Sequence, residues 1–276
     1  MAYLASPALG GRAAGSPGSA QAAVFIARRY TELGIPGAFP GRCDAAPPCP
    51  PLFAQSFRVE SGSASNIAAV LPGADSLLRS TWIVIGAHRD HIGRTAQYAR
   101  DPERGMLVRP GADDNASGTA AVLELARRFK QRPPPRSVMF VHFDAEEQGL
   151  LGSRVFVSEP PMSLDSVMVM INFDMVGRLR KAELTIDVAA NGQGFLGLID
   201  SLATTEGIQP LFITGLSSRS DHGPFDESMV PAFALFTGFH ADYHTANDIA
   251  AKVDAAGILK IVDLVENLVR SAGPRL

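Results

Sequence analysis

Residues 111–118 read Gly-Ala-Asp-Asp-Asn-Ala-Ser-Gly and stand directly before a long run with helical periodicity. In that run, residues 119–131, apolar side chains recur three or four positions apart, which predicts a helix that begins at about Ser117. The acidic segment therefore lies at a helix N-terminus, where Asn115 or Ser117 could cap free backbone N–H groups. Capping alone would explain one such segment, but several similar polar segments occur elsewhere in the chain.

Further polar clusters occur along the chain, each after a short apolar run. They are Ala87-His88-Arg89-Asp90-His91, Asp144-Ala145-Glu146-Glu147-Gln148-Gly149, Asn172-Phe173-Asp174-Met175 and Asp242-Tyr243-His244-Thr245. Imidazoles and carboxylates thus recur where predicted strands end. Open α/β sheets build their sites outside the carboxyl ends of their strands. The sequence therefore predicts a single site assembled from several segments.

The pattern of elements is an alternation of strands and helices. Strands are predicted over residues 53–60, 66–71, 82–87, 138–143, 167–173, 184–188 and 230–236. Helices are predicted over residues 20–33, 117–131, 195–206 and 254–271, with another starting near Ser153. No internal repeat or long linker interrupts this order. We therefore expect one α/β domain over residues 1–276, with a largely parallel sheet.

Composition excludes several classes of protein. The chain has 276 residues, of which 46% are hydrophobic and 19% charged, as is usual for a globular protein. Its net charge of −3 gives no electrostatic case for nucleic acid or an anionic membrane as a partner. No apolar run approaches the roughly 20 residues of a membrane span. The first residues carry no basic segment of the kind that opens a signal peptide.

The two cysteines, Cys43 and Cys49, are six positions apart in a proline-rich stretch. This spacing permits a small surface-loop disulfide, although two free thiols are the alternative. A disulfide would place the protein in an oxidising compartment, so a secreted or periplasmic location is expected, with any signal peptide removed. Neither cysteine is close enough to a histidine in sequence to form a zinc knuckle.

The polar clusters supply the donors that a pair of zinc ions requires. Zinc binds histidine nitrogen and carboxylate oxygen, and two-metal hydrolases hold their ions about 3.5–4 Å apart. Such a site needs a bridging carboxylate, terminal ligands and a separate base. Candidate ligands are His88, Asp113, Asp174, His244 and one of the pair Glu146 and Glu147. Glu146 and Glu147 are adjacent, so their side chains point in different directions, and one can bind metal while the other acts as the general base.

In their order and in their residues, these motifs resemble those of the zinc aminopeptidases of the M28 peptidase family. The likeness runs from about Leu4 to the last helix. It implies a three-layer sandwich of the zinc exopeptidase type, with a largely parallel mixed sheet flanked by helices. It also implies two zinc ions per chain and a peptide substrate with a free N-terminus. The protease-associated domain that many members carry is missing, because residues 61–81 are too few to hold it.

The resemblance assigns a role to each matching residue. It implies His88 and Asp174 on one metal, Glu147 and His244 on the other, and Asp113 between them. Glu146 would be the general base, and Asp90 would be the partner that orients His88. A cis peptide bond between Asp113 and Asp114 is also implied. Some members place a tyrosine before the segment Ser220-Asp221-His222, but this chain has none there, so Arg219 or His222 is the candidate for that contact with substrate.

Other functions compatible with these residues are kept open. A glutaminyl-cyclase-like transferase would use one zinc, and a binding module with the peptidase fold would use none. Carboxypeptidase or dipeptidase action is a further alternative, because exopeptidase polarity depends on pocket residues. Phe225, Phe236 and Phe239 suggest a hydrophobic first substrate residue. His142, inside a predicted strand, is expected to be a hydrogen-bonded core histidine.

Overall fold

The computed structural model describes residues 1–41, 51–214 and 219–272. The predicted disulfide between Cys43 and Cys49 lies outside the described residues. Within these ranges, no helix combines the length and apolarity that crossing a membrane would require.

An eight-stranded mixed sheet forms the centre of the fold. The strands are β1 (Ala54–Val59), β2 (Gly62–Leu71), β3 (Trp82–His88), β4 (Ser137–Phe143), β5 (Val167–Phe173), β6 (Glu183–Val188), β7 (Gln209–Ile213) and β8 (Ala232–Phe236). Their order across the sheet is β1-β2-β4-β3-β5-β8-β6-β7. The four central strands, β4, β3, β5 and β8, are parallel. Strands β1, β2 and β6 pair antiparallel with their neighbours on one side or both.

Helices cover both faces of the sheet. They are α1 (Pro17–Glu32), α2 (Gly118–Gln131), α3 (Leu151–Ser158), α4 (Leu196–Thr205), α5 (His222–Glu227) and α6 (Ala255–Ser271). Helices α1, α2, α4 and α6 bury their apolar sides in the larger core cluster. Phe156 of α3 and Phe225 of α5 belong to the cluster on the opposite face. The predicted three-layer α/β architecture is thus confirmed.

Most predicted elements are present, and the differences have physical causes. Strand β7 was not predicted, because it is a short edge strand with a proline and with partly exposed residues throughout. Helix α5 was also not predicted, since its six residues are too few to show a helical period. Strand β2 is longer than expected because its first residues, from Gly62, pair with β1 in a hairpin.

The start of α2 is capped by Asn115. Its side-chain oxygen accepts a hydrogen bond from the N–H of Gly118 at 3.0 Å. Its amide nitrogen donates to the carbonyl of Phe173 at the end of β5, at 2.8 Å. Of the two capping candidates predicted from sequence, Asn115 is therefore correct. Ser117 instead donates to the backbone oxygen of Asp113. The cap ties the acidic segment to the central strand next to it.

His142 of β4 is a core histidine, as predicted. It is fully buried, and its Nε2 lies 2.8 Å from the Tyr30 hydroxyl of α1. Burial, and secondarily the charge of Arg89, lowers the pKa of His142 to about 3. A base with a lowered folded-state pKa stabilises the protein above its unfolded pKa of about 6.5, and this stability is lost as the pH falls toward 3.

Replacing the pair, as Tyr30→Phe with His142→Leu, should therefore flatten the acid sensitivity of the fold. Between pH 7 and pH 5, the wild-type free energy of unfolding should fall by about 2 kcal/mol more than that of the double variant, because only the wild type must exclude a proton from position 142. Urea unfolding at both pH values, with chelator present throughout, measures this difference. Equal pH dependence in the two proteins would contradict it.

Candidate active site

The carboxyl ends of the four central parallel strands bring the polar clusters together. His88 is the last residue of β3, and Asp174 directly follows β5. Glu146 and Glu147 lie in the turn that follows β4. His244 comes from the loop after β8. Parallel strands place their carboxyl ends at one edge, so residues far apart in sequence become neighbours. The predicted assembly of one site at this edge is what the structure has.

Asp114, and not Asp113, lies between the two histidines. Its Oδ1 is 3.3 Å from Nε2 of His88, and its Oδ2 is 3.1 Å from Nε2 of His244. Although burial raises the pKa of Asp114, the facing histidines hold it well below its usual range. The neighbouring carboxylate points elsewhere. The prediction that Asp113 sits between the metals is therefore wrong by one residue.

Asp113 has a structural set of contacts. Its Oδ1 accepts hydrogen bonds from the N–H of Gly177 at 2.6 Å and from the Ser117 hydroxyl at 3.0 Å. Its Oδ2 lies 3.0 Å from Nε2 of His240. A carboxylate engaged in this way has no oxygen turned toward His88. The cis peptide bond is also displaced by one residue from the prediction, since it joins Asp114 to Asn115.

The contacts of His244 indicate that a positive charge lies between its ring and the carboxylates of Asp114 and Glu147. Its Nδ1 donates to the carbonyl of Tyr98 at 2.8 Å, because a carbonyl can only accept. In the neutral ring, Nε2 then carries a lone pair, yet it faces carboxylate oxygens of Asp114 at 3.1 Å and Glu147 at 3.2 Å. Burial lowers the pKa of His244, but hydrogen bonds to these two carboxylates raise it to about 10. A cation, either a proton or a metal ion, satisfies this arrangement.

The donor atoms are spaced as ligands of zinc would be. Zinc–nitrogen and zinc–oxygen bonds of about 2.0–2.2 Å at tetrahedral angles separate ligand atoms by about 3.3 Å. Nε2 of His88 is 3.3 Å from Oδ1 of Asp174 and 3.3 Å from Oδ1 of Asp114. Around His244 the corresponding separations are 3.1 and 3.2 Å. The residues present therefore fit a pair of metal ions that share Asp114.

Two groups of donors can be distinguished by proximity. One contains His91, Asp114, Glu147 and His244, and the other contains His88, Glu146 and Asp174. In each group the donor atoms lie within 4.8 Å of one another. His91 is the member that the sequence did not single out, since it matched no ligand position of the resembled motifs.

Asp90 is buried directly beneath the two glutamates. Its Oδ1 accepts the N–H of Glu146 at 3.1 Å, and its Oδ2 accepts the N–H of Glu147 at 3.3 Å. The distance from Oδ1 to Nδ1 of His88 is 3.7 Å, longer than a hydrogen bond. Asp90 thus fixes the backbone of Glu146 and Glu147. Its carboxylate lies near the ring of His88, as predicted, but makes no hydrogen bond to it.

The surroundings of Glu146 favour the protonated form of its carboxyl group. Burial is the largest cause that raises its pKa well above the usual value, and the nearby charges of Glu147, Asp174 and Asp221 raise it further. The charge of His88 acts in the opposite direction. A carboxyl whose pKa is raised in this way holds a proton more tightly than an exposed carboxyl does.

Asp248 anchors the acidic segment and was missed from sequence. It is fully buried, and its Oδ2 accepts the N–H groups of Asp113 at 2.9 Å and Asp114 at 3.1 Å. Arg178 lies 3.4 Å from Oδ1 of the same carboxylate and pairs also with Asp242. In sequence, Asp248 stands in a polar loop without a pattern around it, so no signal distinguished it from a surface aspartate.

A cavity of about 130 Å³ opens beside the donor cluster. Its apolar lining is formed by Met175, Ile213, Ala234, Phe236, Phe239 and Tyr243. Strand β6 adds Thr185 and Asp187, which lie across from Phe236 and Ala234 in the sheet. Of the three phenylalanines named from the sequence, Phe236 and Phe239 line the cavity, whereas Phe225 is buried in the core against Phe143 and Phe156.

The two predicted substrate contacts both line this cavity. Arg219 is exposed, whereas His222 at the start of α5 is buried. Nε2 of His222 lies 3.4 Å from Oδ2 of Asp187, and neither ring nitrogen has a hydrogen-bond partner among the described residues. Both residues are therefore placed to contact a molecule bound in the cavity.

This chain carries the sequence pattern of a described enzyme family. The profile of Peptidase family M28 matches residues 66–269. The chain belongs to peptidase family M28. The aminopeptidase YwaD of Bacillus subtilis (strain 168) is 31% identical over 195 residues, which make up 67% of this chain and 42% of that protein. This M28 chain therefore spans less than half the length of that relative.

Proteins of known structure share this fold. An aminopeptidase from Aneurinibacillus sp. strain AM-1 aligns with a TM-score of 0.64 at 26% identity, over 75% of this M28 chain and 48% of that one. A Zn-dependent exopeptidase from Parabacteroides distasonis aligns with a TM-score of 0.72 over 96% of this chain and 94% of its own. At 17% identity, the second likeness establishes the shared fold alone.

Proposed function

We propose that this M28 chain is a co-catalytic two-zinc exopeptidase that acts as an aminopeptidase. The observation that carries the proposal is the position of Asp114, whose two oxygens each face a different histidine at ligand spacing. Converging carboxylates would repel one another at a cost of several kcal/mol without a cation between them. The names of the aligned relatives support the same activity.

In this proposal, His88 and Asp174 would hold one zinc, Glu147 and His244 would hold the other, and Asp114 would contribute to both sites. Zinc, when bound, supplies a Lewis acid for the scissile carbonyl oxygen and lowers the pKa of a water molecule. Of the side chains that would hold zinc, His88, Asp114 and His244 are buried, whereas Glu147 and Asp174 are half-buried. Charge interactions among them are therefore stronger than they would be in bulk water.

Glu146 is the proton carrier of the reaction. Its carboxylate takes a proton from the attacking water and then delivers it to the nitrogen of the leaving amine. The raised pKa favours the first step, because burial and the neighbouring carboxylates make the ionised form of Glu146 a stronger base. Asp90 keeps Glu146 and Glu147 in place through their amides, so one carboxylate faces substrate while its neighbour faces the cation.

The cavity accommodates the side chain of the first substrate residue. Its aromatic walls, Phe236, Phe239 and Tyr243, favour a hydrophobic residue. Arg219 and His222 lie at the same cavity and are the candidates for polar contact with substrate. We expect a peptide with a free N-terminus to be the partner.

Residues 1–276 are proposed to be one catalytic domain without a protease-associated insert. Residues 61–81 support this, because β2 takes up Gly62–Leu71 and only a short connection remains before β3. A secreted or periplasmic location is proposed from the cysteine pair at positions 43 and 49.

Free and blocked substrates test the activity. Leucine p-nitroanilide and its N-acetyl derivative differ only at the α-amine, so an aminopeptidase should release p-nitroaniline from the first and not from the second. Release should stop with chelator and return with zinc. A zinc-loaded protein that cleaves neither compound would contradict the proposal. Assays for carboxypeptidase, dipeptidase and glutaminyl cyclase activity would then identify the alternative.

A further inference from the structure

His91 occupies a buried position beside Glu147 for which the donor assignments above have no use. We propose that His91 is a positioning residue, which donates a hydrogen bond to Glu147 and thereby turns the other oxygen of this carboxylate toward the zinc site at His244. The inference rests on the proposed two-zinc function. It concerns how the chain holds one of the two ions.

The separations around Glu147 distinguish a hydrogen bond from shared coordination. Nδ1 of His91 lies 2.8 Å from Oε1 of Glu147, a usual hydrogen-bond length. The other oxygen, Oε2, lies 3.2 Å from Nε2 of His244, close to the roughly 3.3 Å expected between two ligands of one zinc. Glu147 thus uses one oxygen for His91 and the other for the cation.

The protonation of His91 follows from these contacts. A carboxylate only accepts, so Nδ1 of His91 must carry the hydrogen. A nitrogen that carries hydrogen has no lone pair to give to a metal. Its other ring nitrogen, Nε2, is buried and has no hydrogen-bond partner among the described residues. The oxygen Oδ2 of Asp114 lies farther from Nδ1 of His91, at 3.5 Å. The hydrogen on Nδ1 is therefore donated to Glu147.

The ring of His91 is held rigidly enough to act as a support. Gly111 lies against it, since a β-carbon there would approach Cγ of His91 to 2.5 Å. The rings of His91 and His244 meet edge to face, with their centroids 5.3 Å apart. The backbone N–H of His91 donates to the carbonyl of Arg12 at 3.3 Å. Gly111 thus provides space for the imidazole as well as the backbone turn, with φ +58°.

Only one of the two proposed zinc sites depends on this support. Removing a group that orients a metal ligand usually lowers metal affinity by about 10–100-fold. The site at His244 should lose affinity to this extent in a His91→Ala variant, while the site at His88 and Asp174 should keep its own. His91→Asn should rescue binding, because the asparagine amide places an N–H donor near the position of Nδ1.

Calorimetry tests this pattern: the metal-free protein is titrated with zinc in the presence of a competing chelator. Substitution with Co²⁺ adds a visible spectrum that reports on the ligand set. Wild type and His91→Asn should bind both ions with matching affinities and spectra, whereas His91→Ala should bind one ion 10–100-fold more weakly. His142→Gln, at the buried histidine of the core, controls for the loss of an imidazole, and it should bind both ions as wild type does.

Two results would overturn the positioning role. Unchanged affinity for both ions in His91→Ala would show that Glu147 needs no support. Loss of binding in both variants, with an altered cobalt spectrum in His91→Asn, would make His91 a ligand itself. Failure of the wild type to bind zinc would reject the proposed two-zinc function, and the positioning role with it, whereas the two results above reject the positioning role alone.

Discussion

Glu146→Gln is expected to lower kcat on leucine p-nitroanilide by about 10²–10⁴-fold. The amide has the size of the carboxyl but cannot take a proton from water or return it to the leaving amine. Because the amide side chain leaves the donors His88, Asp174, Glu147 and His244 in place, zinc content and KM should stay near their wild-type values. Steady-state kinetics together with metal analysis of the same preparation measures the effect.

A matched substitution at the surface separates this effect from the loss of a carboxylate in general. Glu183 begins β6 and is exposed, so Glu183→Gln makes the same chemical change away from the site. It should retain wild-type kcat. A Glu146→Gln variant with wild-type kcat would contradict the proton-carrier role, and one that loses zinc would make Glu146 a ligand.

Asp114→Asn is expected to abolish activity and to weaken the binding of both zinc ions. Within residues 1–41, 51–214 and 219–272, Asp114 is the carboxylate that faces both His88, at 3.3 Å, and His244, at 3.1 Å. An amide keeps a single oxygen, so one of the two contacts must end in an NH₂ group, which cannot coordinate a cation. Zinc content after dialysis, measured beside the residual rate, should fall well below that of wild type.

The adjacent residue is the natural control. Asp113→Asn should retain zinc, because Asp113 accepts from Gly177 and Ser117 and does not face the site. It should lose about 1–3 kcal/mol of stability through the altered hydrogen bonds. The reverse pattern, in which Asp113→Asn loses zinc and Asp114→Asn keeps it, would restore the assignment made from sequence.

The pair Asp113 and Asp114 marks where sequence reasoning reaches its limit. The residue types and their places after apolar strands predict a cation site at the carboxyl edge of the sheet, and the structure assembles that site. Two adjacent aspartates have equal chemistry, however, so only backbone direction decides which faces the histidines. That direction depends on Asp248, which accepts both backbone N–H groups from 134 and 135 positions away. No local pattern reveals a partner so distant.

The support residues show the same limit. His91 resembles any polar residue after a strand until the fold places it 2.8 Å from Glu147 and against Gly111. Phe225 and Phe236 look alike in sequence, yet the first packs in the core and the second lines the cavity. Strands buried on both faces, such as β4, were predictable because their side chains are apolar almost throughout.

The dependence of activity on zinc equivalents tests the central claim most directly. Metal-free protein would be titrated with zinc while the rate of leucine p-nitroanilide hydrolysis is followed at each addition. Because the two oxygens of Asp114 face His88 and His244 separately, the account predicts a rate that rises to a plateau at two equivalents per chain. A plateau at one equivalent, or no hydrolysis after two have bound, would contradict the co-catalytic two-zinc aminopeptidase.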